Sequence, residues 1–350
     1  MHVRVAGMTQ GGSYMERPKV LIMTKKFAEV SREPIERLEA AGFLVDERSY
    51  ETVSSISEDE FCQLIKGVDV VVVTGTFPIT RRVIEAADRL KMIGIRSAGF
   101  DGTDVSAARE KGILVSYNPG SNAESVADMT VGMMLAVLKK IAKLDRKIRN
   151  GGWERERTLD MYGKILGIIG VGRIGKVLVK RVQGFDMIII ANDIVEYREF
   201  YEKYGIESVT KEELLGRADI VTIHTPLDDS TRGMIREERL RLMNRHAILV
   251  NTARGPIVDA RALYKALKEG WIAGAGLDVH ETEPPSFRPL VELENVVSTC
   301  HVAGISDGAS YNMAMQTVEK IITYFRGGMP EPVLTPGVRF PGKPMPGYHR

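Results

Sequence analysis

The run VDVVVVTG at 68–75 constrains this chain more than any other stretch. A segment that short, apolar and β-branched has no wet face, so it fits a strand covered on both sides. KVLIMT at 19–24, LKMIGIR at 90–96 and ILVSYN at 113–118 repeat the pattern, with the helical patterns SREPIERLEAAG, TRRVIEAAD and SAAREKG between them. Such alternation predicts an α/β fold, a parallel sheet with helices on both faces. A second series begins after Gly151: ILGIIG (165–170), MIIIAND (187–193), IVTIHT (220–225), AILVNTA (247–253), IAGAGLD (272–278) and ENVVSTC (294–300). A last helix is expected over 306–326, and the Pro- and Gly-rich tail after it reads as a strap or loose end.

Two series in 350 residues exceed what one hydrophobic core ordinarily serves, so two domains are expected. The 48 basic and 46 acidic residues nearly cancel, and no basic stripe interleaved with aromatics points to nucleic acid. Cys62 and Cys300 cannot make a disulfide framework, which favours a reducing, cytoplasmic setting. The most apolar stretches, 68–73 and 129–138, are too short to span a bilayer. Residues 1–18 lack a signal-like core and read as a tail.

From Ala123 to Asn150 nothing stops a helix, which predicts one continuous rod of roughly 40 Å at ~1.5 Å per residue. Its first half is apolar over most faces, so it packs between layers or against another subunit. Its second half carries Lys139, Lys140, Lys143, Arg146 and Lys147, read as a solvated end.

GVGRIG at 170–175 lies between an apolar strand and the helical pattern KVLVKRV. Gly170 suits a tight turn, Gly172 a close approach of backbone to a pyrophosphate, and Gly175 close packing of helix on strand. The N–H groups opening the helix, with Arg173 and Ile174 among them, would meet phosphate charge. Asp193, at the end of the next strand, is placed to accept from a ribose 2′-hydroxyl and to repel a 2′-phosphate. That favours NAD over NADP, although Arg198 lies close in sequence.

GKILGIIGVGRIG, NPGSNAESVAD, NTARGPIVD (251–259), GLDVHETEP (276–284) and CHVAG (300–304) together resemble the D-isomer-specific 2-hydroxyacid dehydrogenase family. The resemblance runs over about 19–335. It implies an NAD(P)-binding Rossmann domain, 119–304, inserted into a flavodoxin-like substrate-binding domain made of 19–118 plus 305–335, with tails at 1–18 and 336–350. It implies an active site in the cleft between domains and a homodimer supported by the region of the long helix.

Residue by residue, the resemblance makes Arg254 the cation that anchors the substrate carboxylate and polarises the ketone. It makes His301 the acid–base group and Glu283 the carboxylate that fixes the histidine's tautomer. Asp278 would accept from the nicotinamide amide. Thr225 and Pro226 would line the adenosine side, and Thr252, Ala253 and Gly304 the nicotinamide side, beside His301. Substrate would meet Ser97, Ala98 and Gly99, with Thr74 and Gly75 as the facing wall, beside Arg254 and His301. Asn122 either touches cofactor or caps the long helix.

Three other residues fall outside these roles. His280 stands where relatives carry an aromatic or apolar residue and reads as a packing or surface substitution. His224 reads as structural. Cys300 adjoins His301, but neighbours on an extended segment point opposite ways, which disfavours a nucleophile pair. No metal is expected, since the H-E-x-x-H spacing is absent.

The implied activity is NADH-dependent, reversible reduction of a small 2-keto acid of the glyoxylate or hydroxypyruvate type. D-3-phosphoglycerate dehydrogenase is the close alternative, for which Arg96, Lys25 and Lys26 could supply a basic cluster. An NAD-responsive corepressor-like binding protein is the alternative of another class.

Overall fold

The computed structural model describes residues 16–24, 27–48, 55–341 and 345. The chain divides into two compact units, one of residues up to Ser121 with those from Ser310 onward, the other Asn122–Ala309. Lys25, Lys26 and most of both expected tails lie outside the described residues.

In the first unit the order is β1 (Lys19–Met23), α1 (Glu33–Ala40), β2 (Leu44–Glu47), α2 (Glu58–Leu64), β3 (Val70–Val73), α3 (Arg81–Ala86), β4 (Met92–Ile95), α4 (Val105–Glu110) and β5 (Leu114–Ser116). The sheet is wholly parallel, in the order β2-β1-β3-β4-β5, the flavodoxin-like arrangement. Local chemistry sets the helix starts. Ser57 and Glu60 form a reciprocal capping box, while Thr80 and Asp104 each accept a backbone N–H at their N-caps. One sheet face buries Phe61, Ile65, Val83, Ile84 and Ala107.

The second unit opens with α5 (Ala123–Leu138) and α6 (Ile141–Arg149), then β6 (Ile165–Ile169), α7 (Arg173–Val182), β7 (Ile188–Asn192), α8 (Arg198–Tyr204), β8 (Glu207–Ser208), α9 (Lys211–Arg217) and β9 (Ile220–Ile223). It continues through α10 (Glu237–Leu240), β10 (Ile248–Asn251), α11 (Ala260–Lys268), β11 (Gly274–Leu277), α12 (Arg288–Val291) and β12 (Val296–Ser298). Its sheet order, β12-β11-β10-β9-β6-β7-β8, is the Rossmann pattern with one added edge strand. Two cores flank it. Met133, Met134, Leu178 and Val182 cover one face, and Leu214, Leu215, Leu263 and Ala266 cover the other.

The chain then returns through α13 (Asp307–Phe325) to the first unit. There Ala314, Val318, Ile321 and Phe325 cover the second sheet face against Val20, Ile22, Val72 and Met92. The segment after α13 behaves as a strap: Val333 bridges Ser116 and the Thr335 hydroxyl accepts from Val115 N at 2.9 Å.

The continuous rod expected over 123–150 is broken. Lys140 takes a left-handed backbone at φ +53, between α5 and α6. Neither Gly nor Pro marks the break, and such a conformation costs a non-glycine residue about 1 kcal/mol or more. Glu156 offsets part of it from the returning segment, pairing with Lys140 (3.2 Å), Lys143 (3.0 Å) and Lys147 (3.2 Å). The basic run is therefore an ion-pair cluster and not merely a solvated end.

Candidate active site

The glycine turn follows β6. Gly170 has φ +94, and a Cβ there would stand 2.9 Å from the His224 carbonyl carbon. A Cβ on Gly175 would meet the Gly170 oxygen at 2.5 Å. Gly172 heads α7 with open space around it, so the N-terminus of that helix, with Arg173 and Ile174 in its first turn, faces a free approach. Asp193 lies one residue past β7. Its Oδ2 accepts from Val171 N at 2.5 Å and its Oδ1 from Val195 N at 2.9 Å, which ties the carboxylate to the turn. Arg198 is paired with Glu196 at 3.0 Å.

Thr225 and Pro226 leave the end of β9 beside this turn. The Thr225 hydroxyl and His224 Nδ1 are buried with no partner, while His224 Nε2 meets the Thr222 hydroxyl at 3.0 Å. Burial pushes the His224 pKa down to about 4, so the ring is neutral near pH 7. The cradle fits a dinucleotide: an open helix N-terminus, a glycine turn that tolerates no side chain at Gly170 or Gly175, and an unsatisfied hydroxyl at its rim.

The acid–base candidates come from loops at the carboxyl edge of the same sheet, where open α/β sheets bind ligands. His301 Nδ1 and Glu283 Oε2 are 2.8 Å apart, although eighteen residues separate them in sequence. Both side chains are about one-third exposed, open enough to meet a substrate. His301 itself has φ +57, a left-handed conformation rare for a non-glycine residue.

What holds that backbone is Asp278. Its side chain is fully buried; Oδ1 accepts from the Thr299 hydroxyl (2.6 Å) and Val302 N (2.9 Å), and Oδ2 from Ala303 N (2.9 Å). The Asp278 carbonyl also accepts from His301 N at 2.8 Å. These bonds give Asp278 a structural role beside the nicotinamide-amide contact that the family resemblance implies for it. Its carboxylate is the anchor of the 299–303 turn.

Arg254 follows β10, and its backbone oxygen accepts from Asn251 Nδ2 at 2.9 Å. Its guanidinium donates to Ala253 O at 2.7 Å. Ala253 N donates to Asn251 Oδ1 at 3.0 Å, and the Thr252 hydroxyl meets Thr130 of α5 at 3.1 Å. Gly255 brings this segment against the Glu283 loop, since a Cβ on it would stand 1.9 Å from His280 O. Gly304 packs against the Asn122 amide, where a Cβ would meet Nδ2 at 2.4 Å. Asn122 makes no side-chain cap to α5, and its Oδ1 is buried without a partner. Asn122 thus stands at the N-cap position and caps α5 only through its carbonyl, which accepts from Val126 N at 3.0 Å. Ser125, whose hydroxyl donates to Ala303 O at 2.7 Å, was not read from the sequence as part of this site. Its place one turn after Asn122 on the same helix was the available signal.

His280 makes one main-chain and one ring contact in this segment. Its backbone N donates to Glu283 Oε1 at 3.3 Å and its ring Nε2 meets Thr299 O at 3.2 Å. A shallow cleft lies alongside, lined by Gly255, Leu277, His280, Thr282 and Phe287 but by none of Arg254, Glu283 and His301.

In the other unit, the candidate substrate residues gather at the carboxyl ends of β3 and β4. Gly75 N donates to the Ser97 hydroxyl (2.7 Å), which donates to Gly99 O (3.0 Å). A Cβ on Gly75 would lie 2.0 Å from Gly99 O, so Thr74–Gly75 and the Ser97–Ala98–Gly99 turn are in direct contact. Arg96 is buried just before that turn and donates to Ser310 O at 3.3 Å.

Residues 131–303 match the model of the D-isomer specific 2-hydroxyacid dehydrogenase NAD binding domain. A glyoxylate reductase of Korarchaeum cryptofilum is 42% identical over 281 residues, covering 78% of this chain and 85% of that protein. A D-3-phosphoglycerate dehydrogenase of Methanocaldococcus jannaschii is also 42% identical, over 81% of this chain but only 55% of its own length. The crystal structure of an Aquifex aeolicus D-lactate dehydrogenase complexed with NAD and lactic acid is similar at a TM-score of 0.75 and 28% identity, covering 87% of this chain and 95% of that one. With this glycine turn, this sheet order and these relatives, the chain belongs to the D-isomer specific 2-hydroxyacid dehydrogenase family and uses NAD.

Proposed function

We propose that this enzyme reduces a small 2-keto acid of the glyoxylate or hydroxypyruvate type with NADH, reversibly, giving the D-2-hydroxy acid. The observation that carries the reading is the 2.8 Å contact between His301 Nδ1 and Glu283 Oε2. A carboxylate on Nδ1–H leaves Nε2 to carry the transferable proton. Bound NADH supplies the hydride. His301 gives its Nε2 proton to the ketone oxygen during reduction and takes it back from the hydroxyl during oxidation. The Arg254 fork fixes the substrate carboxylate and keeps positive charge beside the oxygen that becomes negative. Pairing of Arg198 with Glu196, and an Asp193 carboxylate at the turn, support NADH over NADPH.

The first relative supports the small substrate by its name, glyoxylate reductase, and covers most of both chains. Phosphoglycerate is the second reading, supported by the buried Arg96 beside the Ser97–Gly99 turn and by the Methanocaldococcus relative. We also propose a homodimer, with α6 and the segment after it as the contact. There Trp153 (78%) and Tyr162 (70%) are exposed together with Ile141 and Ile148.

The test is NADH oxidation against a panel of glyoxylate, hydroxypyruvate, pyruvate and 3-phosphohydroxypyruvate, with wild type and His301→Ala. Glyoxylate or hydroxypyruvate should give the highest kcat/KM, and His301→Ala should lower kcat at least about 100-fold while NADH still binds. Preference for the phosphorylated acid would replace the first reading with the second. NADH binding without turnover of any member would favour the binding-protein alternative, and near wild-type turnover in His301→Ala would sink the acid–base assignment.

A further inference from the structure

We infer that His280 is a positioning residue for the acid–base pair, meeting through its main chain and its ring the three segments that carry Arg254, Glu283 and His301. The inference rests on the acid–base reading of the last two.

Residue 280 meets each segment through a different atom. Its carbonyl packs on Gly255, directly after Arg254, where a Cβ would come within 1.9 Å of the oxygen. Its backbone N–H donates to Glu283 Oε1 at 3.3 Å, while the other oxygen of that carboxylate faces His301. Its ring N–H, on Nε2, donates to the carbonyl of Thr299 at 3.2 Å. The first two contacts belong to the main chain and any residue could make them. The third requires a side chain with a donor at that reach.

Thr299 is where such a donor matters. Two residues later the backbone enters the left-handed region at His301, and a strained conformation persists only where its surroundings over-determine it. Asp278 fixes the turn from inside through the Thr299 hydroxyl and the Val302 and Ala303 N–H groups. The His280 ring, two residues further along the segment that follows β11, fixes Thr299 through its carbonyl, and through the same residue's main chain one Glu283 oxygen is held as well. A side chain without a donor leaves the Thr299 carbonyl unpaired and loosens His301 relative to Glu283. A histidine at this position thus adds a constraint that an apolar residue lacks.

The experiment compares His280→Phe, which keeps a ring without the donor, with His280→Gln, which keeps a donor. In His280→Phe, kcat with glyoxylate and NADH should fall about tenfold, since small misplacement of a reacting group is costly. NADH affinity by fluorescence titration should stay within about twofold, because the phosphate-binding turn is untouched. His280→Gln should recover kcat to within about threefold of wild type, since an amide N–H can replace the ring donor. Imidazole 15N NMR supplies a readout apart from turnover. In wild type the His280 Nε2 should be protonated, and the hydrogen-bonded Nδ1–H signal of His301 should broaden in His280→Phe and return in His280→Gln. An unprotonated His280 Nε2, an unchanged His301 signal in the Phe variant, or a Gln variant no better than Phe would overturn the inference. Loss of turnover in His301→Ala beside unaffected His280→Phe would overturn this inference alone. Turnover surviving in His301→Ala would overturn the acid–base reading instead, and the NMR comparison would still decide the role of His280.

Discussion

The two units solve the same folding problem with the same device and then diverge at one turn. In the first, Asp69 stands just before β3; its N–H donates to Lys19 O, and its carboxylate accepts from Lys19 N at 3.0 Å. In the second, Asp219 stands just before β9 and does the same to Ile165, again at 3.0 Å. Each aspartate ends a segment whose helix begins with a capping box, Ser57–Glu60 in one and Thr210–Glu213 in the other. The amino edges of both sheets are thus pinned alike, where no ligand is expected. The carboxyl edges differ. After β6 the chain makes a glycine turn over an open helix N-terminus, whereas the corresponding edge of the first unit offers Thr74–Gly75 against Ser97–Gly99. Shared fold fixes where a ligand can go, and the turn residues decide which chemistry it meets.

The sharpest way to break the contrast is to remove what the second unit alone has. Gly170→Val places side-chain atoms against the His224 backbone at a residue with φ +94. We expect NADH affinity to fall about 100-fold or more, since the turn must shift for strain and overlap together. Fluorescence titration measures it, and the first unit should keep its native amide hydrogen exchange. Wild-type affinity would mean that the cradle lies elsewhere.

Removing the shared device should separate the units less sharply. Asp69 is fully buried and also meets Arg89 at 3.2 Å and Lys91 at 3.1 Å, while Asp219 is only half-buried. Asp69→Ala removes the buried carboxylate that pairs with Lys91 and with Arg89, which keeps Glu16, and should cost about 3 kcal/mol. Asp219→Ala removes one acceptor and should cost about 1 kcal/mol. Urea unfolding gives both values, and equal costs would mean that the two added cations contribute nothing.

The same contrast explains what could be read from the sequence. Strands β3, β6, β9 and β10 were legible because each is a nearly or wholly buried, mainly apolar run. Strands β2 and β8 were not, because Leu44–Glu47 and Glu207–Ser208 are edges with exposed residues and mixed polarity. The break at Lys140 carried no signal because ion pairs to a later segment help to set it, and not a glycine. In the site, the glycine turn could be derived from spacing, and the pairing of residues 283 and 301 followed only from family resemblance. The ties of residue 280 join its ring and main chain to atoms of three separate loops, and that juxtaposition is not written in any local sequence pattern.

The smallest expected effects lie at opposite ends of the pH scale, one in each unit. In the second unit, three lysines beside Glu156 hold its pKa at about 2, below the ordinary 4.5. A depressed carboxylate contributes stability that is present above pH 4.5 and lost as pH falls toward 2. In the first unit, burial lowers Lys320 to about 8 from 10.5, where its ammonium donates to Tyr117 O. The folded state there binds fewer protons than the unfolded chain between pH 8 and 10.5, so stability rises across that window. Glu156→Gln should flatten the acid limb of the urea midpoint and leave the alkaline limb alone, and Lys320→Met should do the reverse. Both shifts should be small, because Glu156 and Lys320 are both only partly buried, where solvent still screens the charge. If either substitution moved both limbs, the units would be unfolding as one cooperative block, and their separate ion-pair chemistry could not be assigned from pH alone.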